Sequence, residues 1–218
     1  GNGVDKNCEK AIEYLELAAK SDISKALYFL GILYYYDYND YGIHNYTNAM
    51  KYLELAAEED NSKALFFLGK VYLDGKCVKQ SYEKAKEYFE LAAEDDNSEA
   101  QHELGVLYYN GKGVERNYEK AKYYFELAAE DGNNFALSYL ANMYINGFGT
   151  PKDYSKGRYY LELMCENGFY RAFVELGDLY LSGMGDKPNY EKAKECYEIA
   201  ANTNSQQANF KLGLLYYT

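Results

Sequence analysis

Residue types that often carry chemistry or stiffen loops are scarce in this chain. Among 218 residues there are two prolines, two histidines and four cysteines. Because proline interrupts helices, its scarcity favours a mainly helical chain. The cysteines, Cys8, Cys77, Cys165 and Cys196, show neither a CxxC spacing nor a regular pairing. We therefore interpret them as reduced thiols, and not as a disulfide framework or a zinc site.

Positive charge is also scarce. The chain has 23 Lys and Arg against 34 Asp and Glu, and its net charge is −11. Nucleic acid binding needs clustered Lys and Arg at the phosphates, and anionic membrane surfaces attract basic segments. No apolar run approaches the roughly 18 residues that a transmembrane helix needs. The sequence therefore predicts no nucleic acid partner and no membrane partner.

The most prominent feature of the sequence is an internal repeat. The string A-x-x-x-L-G, or a close variant, recurs with a first step of 38 residues and later steps of 36. A second string, close to K-A-x-x-Y-x-E-L-A-A, recurs with the same steps. Two independent strings with one period indicate a repeat architecture. The first string begins at Ala26, Ala64, Ala100, Ala136, Ala172 and Ala208.

Each repeat contains two predicted helices, called here the A helix (around L-G) and the B helix (around E-L-A-A). In residues 98–132, small and apolar residues recur at helical spacing on both sides of a break at Gly111-Lys112-Gly113. The A helix carries two apolar stripes, so it needs a neighbour on each side. This predicts an all-α stack, a right-handed αα solenoid superhelix of about 12 helices.

The repeat resembles a known family. Residues 100–132 fit the pattern A-x-x-x-L-G-x-x-Y-x-x-G-x-G-V-x-x-x-Y-x-K-A-x-x-Y-x-x-x-A-A-x-x-G at nearly every position. The chain is thus similar to Sel1-like repeats, which are relatives of tetratricopeptide repeats with a longer inter-helix loop. The resemblance implies one solenoid domain over 1–218, of about six 36-residue repeats. Local departures are Cys77, Ala141, Gly157 and Met164-Cys165.

Both ends of the sequence fall inside a repeat. Gly1-Asn2-Gly3-Val4 aligns with the inter-helix loop at 111–114, and the A helix at 206–217 has no B helix after it. With no initiator Met and no signal peptide, we expect a fragment of a longer product. No polar capping helix is visible at either end, although such arrays need caps. Uncapped ends make end-to-end contacts between copies a possible mode of association.

Tyrosine is abundant for a structural reason. Of 28 tyrosines, 16 occupy three fixed phases of the repeat. Positions that stay the same in every copy are expected to pack the stack, with the ring buried and the hydroxyl near water.

The variable positions of the A helices are the candidates for partner binding. They share one helical face by their i, i+3/i+4, i+7 spacing, and the resemblance implies that this face lines a concave groove. An aromatic groove with a few cations suits a peptide or a partner helix. The predicted groove residues are Lys25, Tyr28, Ile32, Tyr35, Lys63, Phe66, Lys70, Glu99, His102, Val106, Tyr109, Phe135, Asn142, Arg171 and Asp178.

The predicted groove combines cations with a consistently apolar position. Lys25, Lys63 and Lys70 are expected to receive a carboxylate of the partner, since the rest of the protein is acidic. The position of Tyr35 and Tyr109 is apolar in all copies, which fits semi-buried packing as well as ligand contact.

The first inter-helix loop, predicted at residues 36–42, is the one that breaks the period. It is two residues longer than the others and lacks their first glycine. Its tyrosines, Tyr36, Tyr38 and Tyr41, lie outside the fixed phases. We expect this loop to make a second contact with the partner.

Catalytic, cofactor and metal motifs are not found. Neither His44 nor His102 has a nucleophile at a recognisable spacing. The Gly-x-Gly loops lack a phosphate-loop pattern and recur as turns, and residues 95–99 lack the calcium-loop pattern. The sequence predicts no enzyme, no cofactor and no metal. It favours a scaffold or adaptor that binds a protein or peptide; the alternatives are an end-to-end self-assembling element or, with no convergent titratable cluster to support it, an enzyme.

Overall fold

The computed structural model describes residues 7–21, 23–36 and 45–217, and within them twelve α-helices and no strand. The B helices are α1 (Cys8–Ala19), α3 (Tyr46–Glu58), α5 (Tyr82–Glu94), α7 (Tyr118–Glu130), α9 (Tyr154–Glu166) and α11 (Tyr190–Ala201). The A helices are α2 (Ser24–Tyr36), α4 (Ser62–Asp74), α6 (Ser98–Asn110), α8 (Asn134–Asn146), α10 (Ala172–Ser182) and α12 (Gln206–Tyr217). The predicted alternation of helices is confirmed.

The helices form two compact units. The first comprises the residues up to Leu107 together with Gly111–Glu115, and the second comprises Tyr108–Asn110 and the chain from Arg116 onward. Within the first unit α2 packs on α3 and α4 packs on α5; within the second α8 packs on α9 and α10 packs on α11. Within each unit, helices adjacent in sequence are therefore adjacent in space, as expected of an all-α repeat solenoid. Assignment of the whole chain to one domain stays a prediction.

Short polar residues set where the helices begin. The side-chain oxygen of Asn61 accepts a hydrogen bond from the backbone N–H of Ala64 at 3.1 Å, and Asn97 caps Ala100 in the same way at 2.9 Å. Such caps satisfy a backbone donor that the first helical turn leaves without a partner. At the other end, Gly111 closes α6 with φ 68°, a left-handed conformation that favours glycine.

The core depends on the gap that a glycine leaves in the surface of the A helix, called here the glycine notch. Gly69 of α4 lies against the Phe89 ring of α5, and a Cβ on Gly69 would stand 2.4 Å from Phe89 Cε1. In the second unit Gly177 meets the Tyr197 ring in the same way, with a Cβ-to-Cε1 distance of 2.5 Å. Phe89 and Tyr197 are fully buried. The glycine of the L-G string thus leaves room for a large side chain of the following B helix.

Two of the departures from the repeat pattern lie on adjacent helices. In the fourth A helix, Ala141 replaces the glycine, and in the following B helix Gly157 replaces the usual alanine. A Cβ on Gly157 would lie 2.5 Å from Ile145 Cγ1 and 3.3 Å from the Ala141 carbonyl oxygen. In this pair of helices it is therefore the B-helix glycine that leaves room for an A-helix side chain.

The fixed tyrosines form stacked pairs between an A helix and the next B helix. Tyr72 stacks on Tyr88 with ring centroids 5.6 Å apart, and Tyr144 stacks on Tyr160 at 5.7 Å. The same stacking occurs for Tyr34 with Tyr52 and for Tyr108 with Tyr124. A lysine of the B helix covers several of these pairs, as Lys156 does at 5.1 Å from the Tyr144 centroid.

One buried polar side chain interrupts the apolar core of the first unit. Gln101 is 4% exposed, and its Oε1 has no hydrogen-bond partner among the described residues. The equivalent residues one repeat away are Leu65 and Leu137, both buried. Burying an amide oxygen without a partner costs stability.

Replacing that glutamine should stabilise the protein. Gln101→Leu removes the unsatisfied oxygen and restores the side chain of the neighbouring repeats, so we expect the free energy of unfolding to rise by about 1–3 kcal/mol. Urea denaturation followed by circular dichroism measures it. The exposed Gln207→Leu is the control, with a change within about 0.5 kcal/mol. A loss of stability in Gln101→Leu would show that the amide is satisfied in solution.

Alkaline pH should destabilise the stacked pairs. Burial, then the charges of Tyr144, Glu126 and Tyr159, raise the pKa of Tyr160 to about 12, against about 10 in an unfolded chain. The neutral phenol is favoured in the folded state, so its contribution is complete below pH ~10 and is lost as pH rises from ~10 to ~12.

The corresponding experiment compares free energies of unfolding from pH 8 to pH 11.5. Tyr160→Phe should flatten the alkaline decline, while Tyr123→Phe, an exposed ring of α7, should leave the decline as in the unsubstituted chain. Identical slopes for the unsubstituted chain and Tyr160→Phe would refute this assignment.

Candidate functional site

The first turn of the A helices presents a row of exposed side chains. Lys25, Lys63, Glu99, Phe135 and Arg171 all precede a buried alanine by one residue, and all five are exposed. The alanine faces the core, so the preceding side chain points away from it. This row is the most accessible part of the predicted binding surface.

In the first unit this row borders a pocket of about 420 Å³. The pocket lies where α3 ends and where α2 and α4 begin. Its walls bring together Lys25 and Tyr28 of α2 with Lys63 of α4, three of the predicted binding residues. It is lined by Ser24, Lys25, Tyr28, Phe29, Glu59, Asp60, Asn61, Ser62 and Lys63.

Aromatic rings provide the apolar part of this pocket. Tyr28 and Phe29 lie with ring centroids 5.3 Å apart, and the Phe29 side chain is 43% exposed. Burial raises the pKa of Tyr28, and nearby Tyr36 and Glu99 raise it further. Tyr28 therefore stays a neutral hydrogen-bonding group at ordinary pH, next to an accessible apolar ring.

The pocket also has two accessible cations. Within the described residues, neither Lys25 nor Lys63 lies within ion-pairing distance of a carboxylate. Glu59 and Asp60 line the same pocket, so its formal charge is balanced. A ligand carboxylate would therefore be attracted to the two lysine ammonium groups and not to the pocket as a whole.

The position of Lys70, Asn142 and Asp178 serves a different purpose. Lys70 Nζ is 2.9 Å from Glu103 Oε1, in the next A helix. Asn142 Oδ1 accepts a hydrogen bond from the Tyr109 hydroxyl at 3.2 Å. Asp178 is 2.7 Å from Lys211 Nζ and also accepts from the Tyr197 hydroxyl. These side chains link neighbouring repeats, and Lys70 already pairs with a carboxylate of this chain.

Glu103 and Lys211 belong to a position that the sequence analysis overlooked. It lies three residues after the first alanine of each A helix, and its six occupants are Phe29, Phe67, Glu103, Tyr139, Glu175 and Lys211. Each ion pair that it forms joins residues 33 apart in sequence. Oppositely charged residues 33 positions apart, three fewer than the 36-residue period, are the sequence signal that could have identified these links.

Several other predicted binding residues are partly or wholly used in packing. Tyr35 is 6% exposed and contacts the rings of Tyr46 and Phe67. Phe66 lies against Phe89 at 5.8 Å, and Ile32 and Val106 are half-buried. His102 is largely buried, and this burial lowers its pKa, which keeps the imidazole neutral at pH 7. Of the two interpretations of the Tyr35 position, packing describes Tyr35 itself.

Tyr109 combines packing with a polar contact. Its ring meets Tyr118, Tyr139 and Phe148 with centroids 5.2 to 6.1 Å away. Its hydroxyl reaches Asn142, as described above. It therefore joins two repeats of the second unit, and its side chain is half-buried.

Of the three loop tyrosines, one falls in a described segment. Tyr36 is the last residue of α2 and is not part of the loop as predicted; the helix extends through it. Its ring is 55% exposed and packs edge-on against Tyr35 and Phe67. Tyr38 and Tyr41 lie outside the described residues, and contact of this loop with a partner stays a prediction.

The described residues form neither a metal site nor a membrane-spanning helix. Across residues 7–21, 23–36 and 45–217, no group of three or more His, Cys, Asp and Glu is placed to hold a metal ion. Cys77, Cys165 and Cys196 are free thiols, and burial raises the pKa of Cys165 to about 12. In the described part of the chain no helix has the length and apolar character needed to cross a bilayer.

Comparison with known proteins identifies the repeat. The profile described as Sel1 repeat matches residues 1–22, 24–61, 62–97, 98–133, 134–169 and 174–204. The first match covers α1, and each later match covers all or most of an A helix and the B helix after it. No curated protein matches the chain.

Solved structures with the same fold include bacterial Sel1 repeat proteins. One is c5321, a protective antigen of uropathogenic Escherichia coli, with 29% identity and a TM-score of 0.89 over 98% of this chain. This chain spans 44% of the antigen. A Sel1 repeat protein from Oxalobacter formigenes has 27% identity and a TM-score of 0.78, covering 97% of this chain and 91% of that one. The immunity protein Pa5087 from Pseudomonas aeruginosa, at 20% identity, 94% and 78% coverage and a TM-score of 0.57, shares the fold.

Proposed function

Because the chain belongs to the Sel1 repeat family, we propose that it is a non-enzymatic interaction scaffold that binds a protein or peptide segment on its A helices. The first-turn row supports this proposal, because its side chains differ from copy to copy while the core positions behind them repeat. The observation that carries it is the pocket between the starts of α2 and α4.

The chemistry of this pocket describes the segment that it fits. Phe29 and Tyr28 offer an apolar surface to a large apolar side chain of the partner. Lys25 and Lys63 offer charge to a carboxylate next to that side chain, such as an Asp or Glu of the same peptide. An apolar anchor with a charged neighbour is a common way for a few residues to supply most of the binding energy.

The fold lowers the entropic cost of this contact. Lys25 and Lys63 are carried on the first turns of two helices whose alanines, Ala26 and Ala64, are buried in the core. Their backbones are ordered before the partner arrives, so binding needs to order little besides the side chains. A repeat scaffold acts through such preorganisation and does not need a catalytic group.

Sets of substitutions test the role of the pocket. Peptides are first selected from a random display library for binding to the unsubstituted chain. The triple variant Lys25→Ala, Phe29→Ala, Lys63→Ala should bind these peptides at least about tenfold more weakly, a loss of about 1.4 kcal/mol or more in binding free energy. Fluorescence polarisation measures each affinity. The peptides selected should be enriched in aromatic or large aliphatic residues beside Asp or Glu.

A matched control separates the pocket from general surface effects. Lys79→Ala, Tyr123→Ala, Lys152→Ala also removes one exposed aromatic ring and two exposed lysines, and it should bind the selected peptides like the unsubstituted chain. Equal affinity of both triple variants, with helical circular dichroism intact, would exclude the pocket as the binding site. If no peptide is selected and the mass from light scattering rises with concentration, self-association replaces the scaffold proposal.

A further inference from the structure

A second cavity lies in the second unit, beside the loop between α10 and α11. Its volume is about 290 Å³, near the lower end of the range for small-molecule sites. None of the proposed binding residues around Lys25 and Lys63 belongs to it. It is lined by Arg158, Glu162, Leu179, Tyr180, Gly183, Met184, Asp186, Lys187, Asn189 and Lys192.

The aromatic wall of this cavity, Tyr180, differs from its counterparts in the other repeats. Tyr144, one repeat earlier, stacks on Tyr160. Cys196 occupies the position of Tyr160 one repeat later, so Tyr180 has no stacked ring among the described residues. Two cations approach its ring instead: Lys192 Nζ at 5.2 Å and Arg158 Cζ at 5.9 Å from the centroid.

The loop adds a third cation to the cavity. Lys187 is exposed and stands where the preceding repeat has Pro151. Within the described residues Lys187 makes no ion pair. Arg158, Lys187 and Lys192 therefore line one small volume on a chain whose net charge is −11.

Both carboxylates of the cavity already have partners. Glu162 Oε1 accepts a hydrogen bond from the Tyr180 hydroxyl at 3.0 Å and lies 3.9 Å from Arg158 Nε. Asp186 Oδ1 accepts from the Lys187 backbone N–H at 2.8 Å. Three cations against two carboxylates leave one positive charge in the cavity, and the engaged acids leave the lysine heads as its accessible charge.

We propose that this cavity binds an oxyanion, a phosphate or carboxylate group carried either by a small molecule or by a side chain of a protein. The ammonium groups of Lys187 and Lys192 and the guanidinium of Arg158 attract it. Tyr180 and the half-exposed Met184 accommodate the carbon skeleton that carries the group. This site is independent of the pocket at Lys25 and Lys63, because it shares no residue with it.

Amide NMR provides the test with the full chain. Inorganic phosphate and acetate are titrated separately, with sodium chloride adjusted to hold ionic strength constant, while the N–H resonances of Gly183, Gly185 and Lys187 are followed. We expect saturable shifts for at least one of the two anions. The equivalent glycines of the preceding loop, Gly147 and Gly149, are the internal control and should not show the same saturation.

Two lysine variants locate the interaction. Lys192→Gln should weaken the saturating anion at least fivefold. Lys156→Gln is the matched control: Lys156 is the equivalent residue 36 positions earlier and covers Tyr144 at 5.1 Å, but it does not line this cavity. The proposal is overturned if the shifts do not saturate or if they appear equally at Gly147 and Gly149. It is also overturned if the affinity for the anion falls equally in both variants.

A further arm distinguishes the sources of the oxyanion. A short peptide with one phosphotyrosine is compared with inorganic phosphate on the same resonances. Tenfold tighter binding of the peptide identifies a protein side chain as the source, and equal or weaker binding identifies a free anion. Either result supports the site provided that the Lys192→Gln effect holds.

Discussion

The close contact of the A-helix glycine with a large side chain of the next B helix is the constraint on which the rest of the structure depends. Gly69 accommodates the Phe89 ring, and Gly177 accommodates the Tyr197 ring. The missing side chain lets the two helix axes approach so closely that a methyl group would not fit at this point. The ring packed against the glycine then fixes the relative rotation of the helices. Between α8 and α9 the tight glycine contact lies on the other helix, because Gly157 of the B helix is packed against Ile145 of the A helix.

Once that rotation is set, each position of the repeat has a defined role. The alanine that opens each A helix faces the core, so the residue before it is exposed, and this is where Lys25 and Lys63 lie. The fixed tyrosines come to lie beside one another and stack. The side chain six residues after the first alanine of one A helix meets the side chain three residues after the first alanine of the next A helix. This explains the pairs Lys70–Glu103 and Asp178–Lys211. The packing thus leaves the residues before these alanines free to vary between copies.

The repeat period made the helix pairs and the family predictable from sequence, because a 36-residue step in two strings records the stacking directly. The partners of the variable residues were harder to predict. Whether Lys70 is accessible or paired depends on the stagger between successive A helices, which the period does not give. The change from a tyrosine to Cys196 is visible in the sequence, but the cations that approach Tyr180 come from three-dimensional placement. The role of the exposed row in binding a partner remains a proposal.

The most direct measurement compares alanine at two equivalent glycines, one with and one without a packed neighbour. Gly69 has Phe89 against it, whereas a Cβ on Gly213 of α12 meets no described atom within 4 Å apart from its own helix backbone and chain neighbours. Gly69→Ala should lower the free energy of unfolding in urea by about 1–3 kcal/mol, and Gly213→Ala should raise it by up to about 1 kcal/mol through helix propensity alone. Stabilisation by both substitutions would contradict the claim that the glycine notch positions the helices.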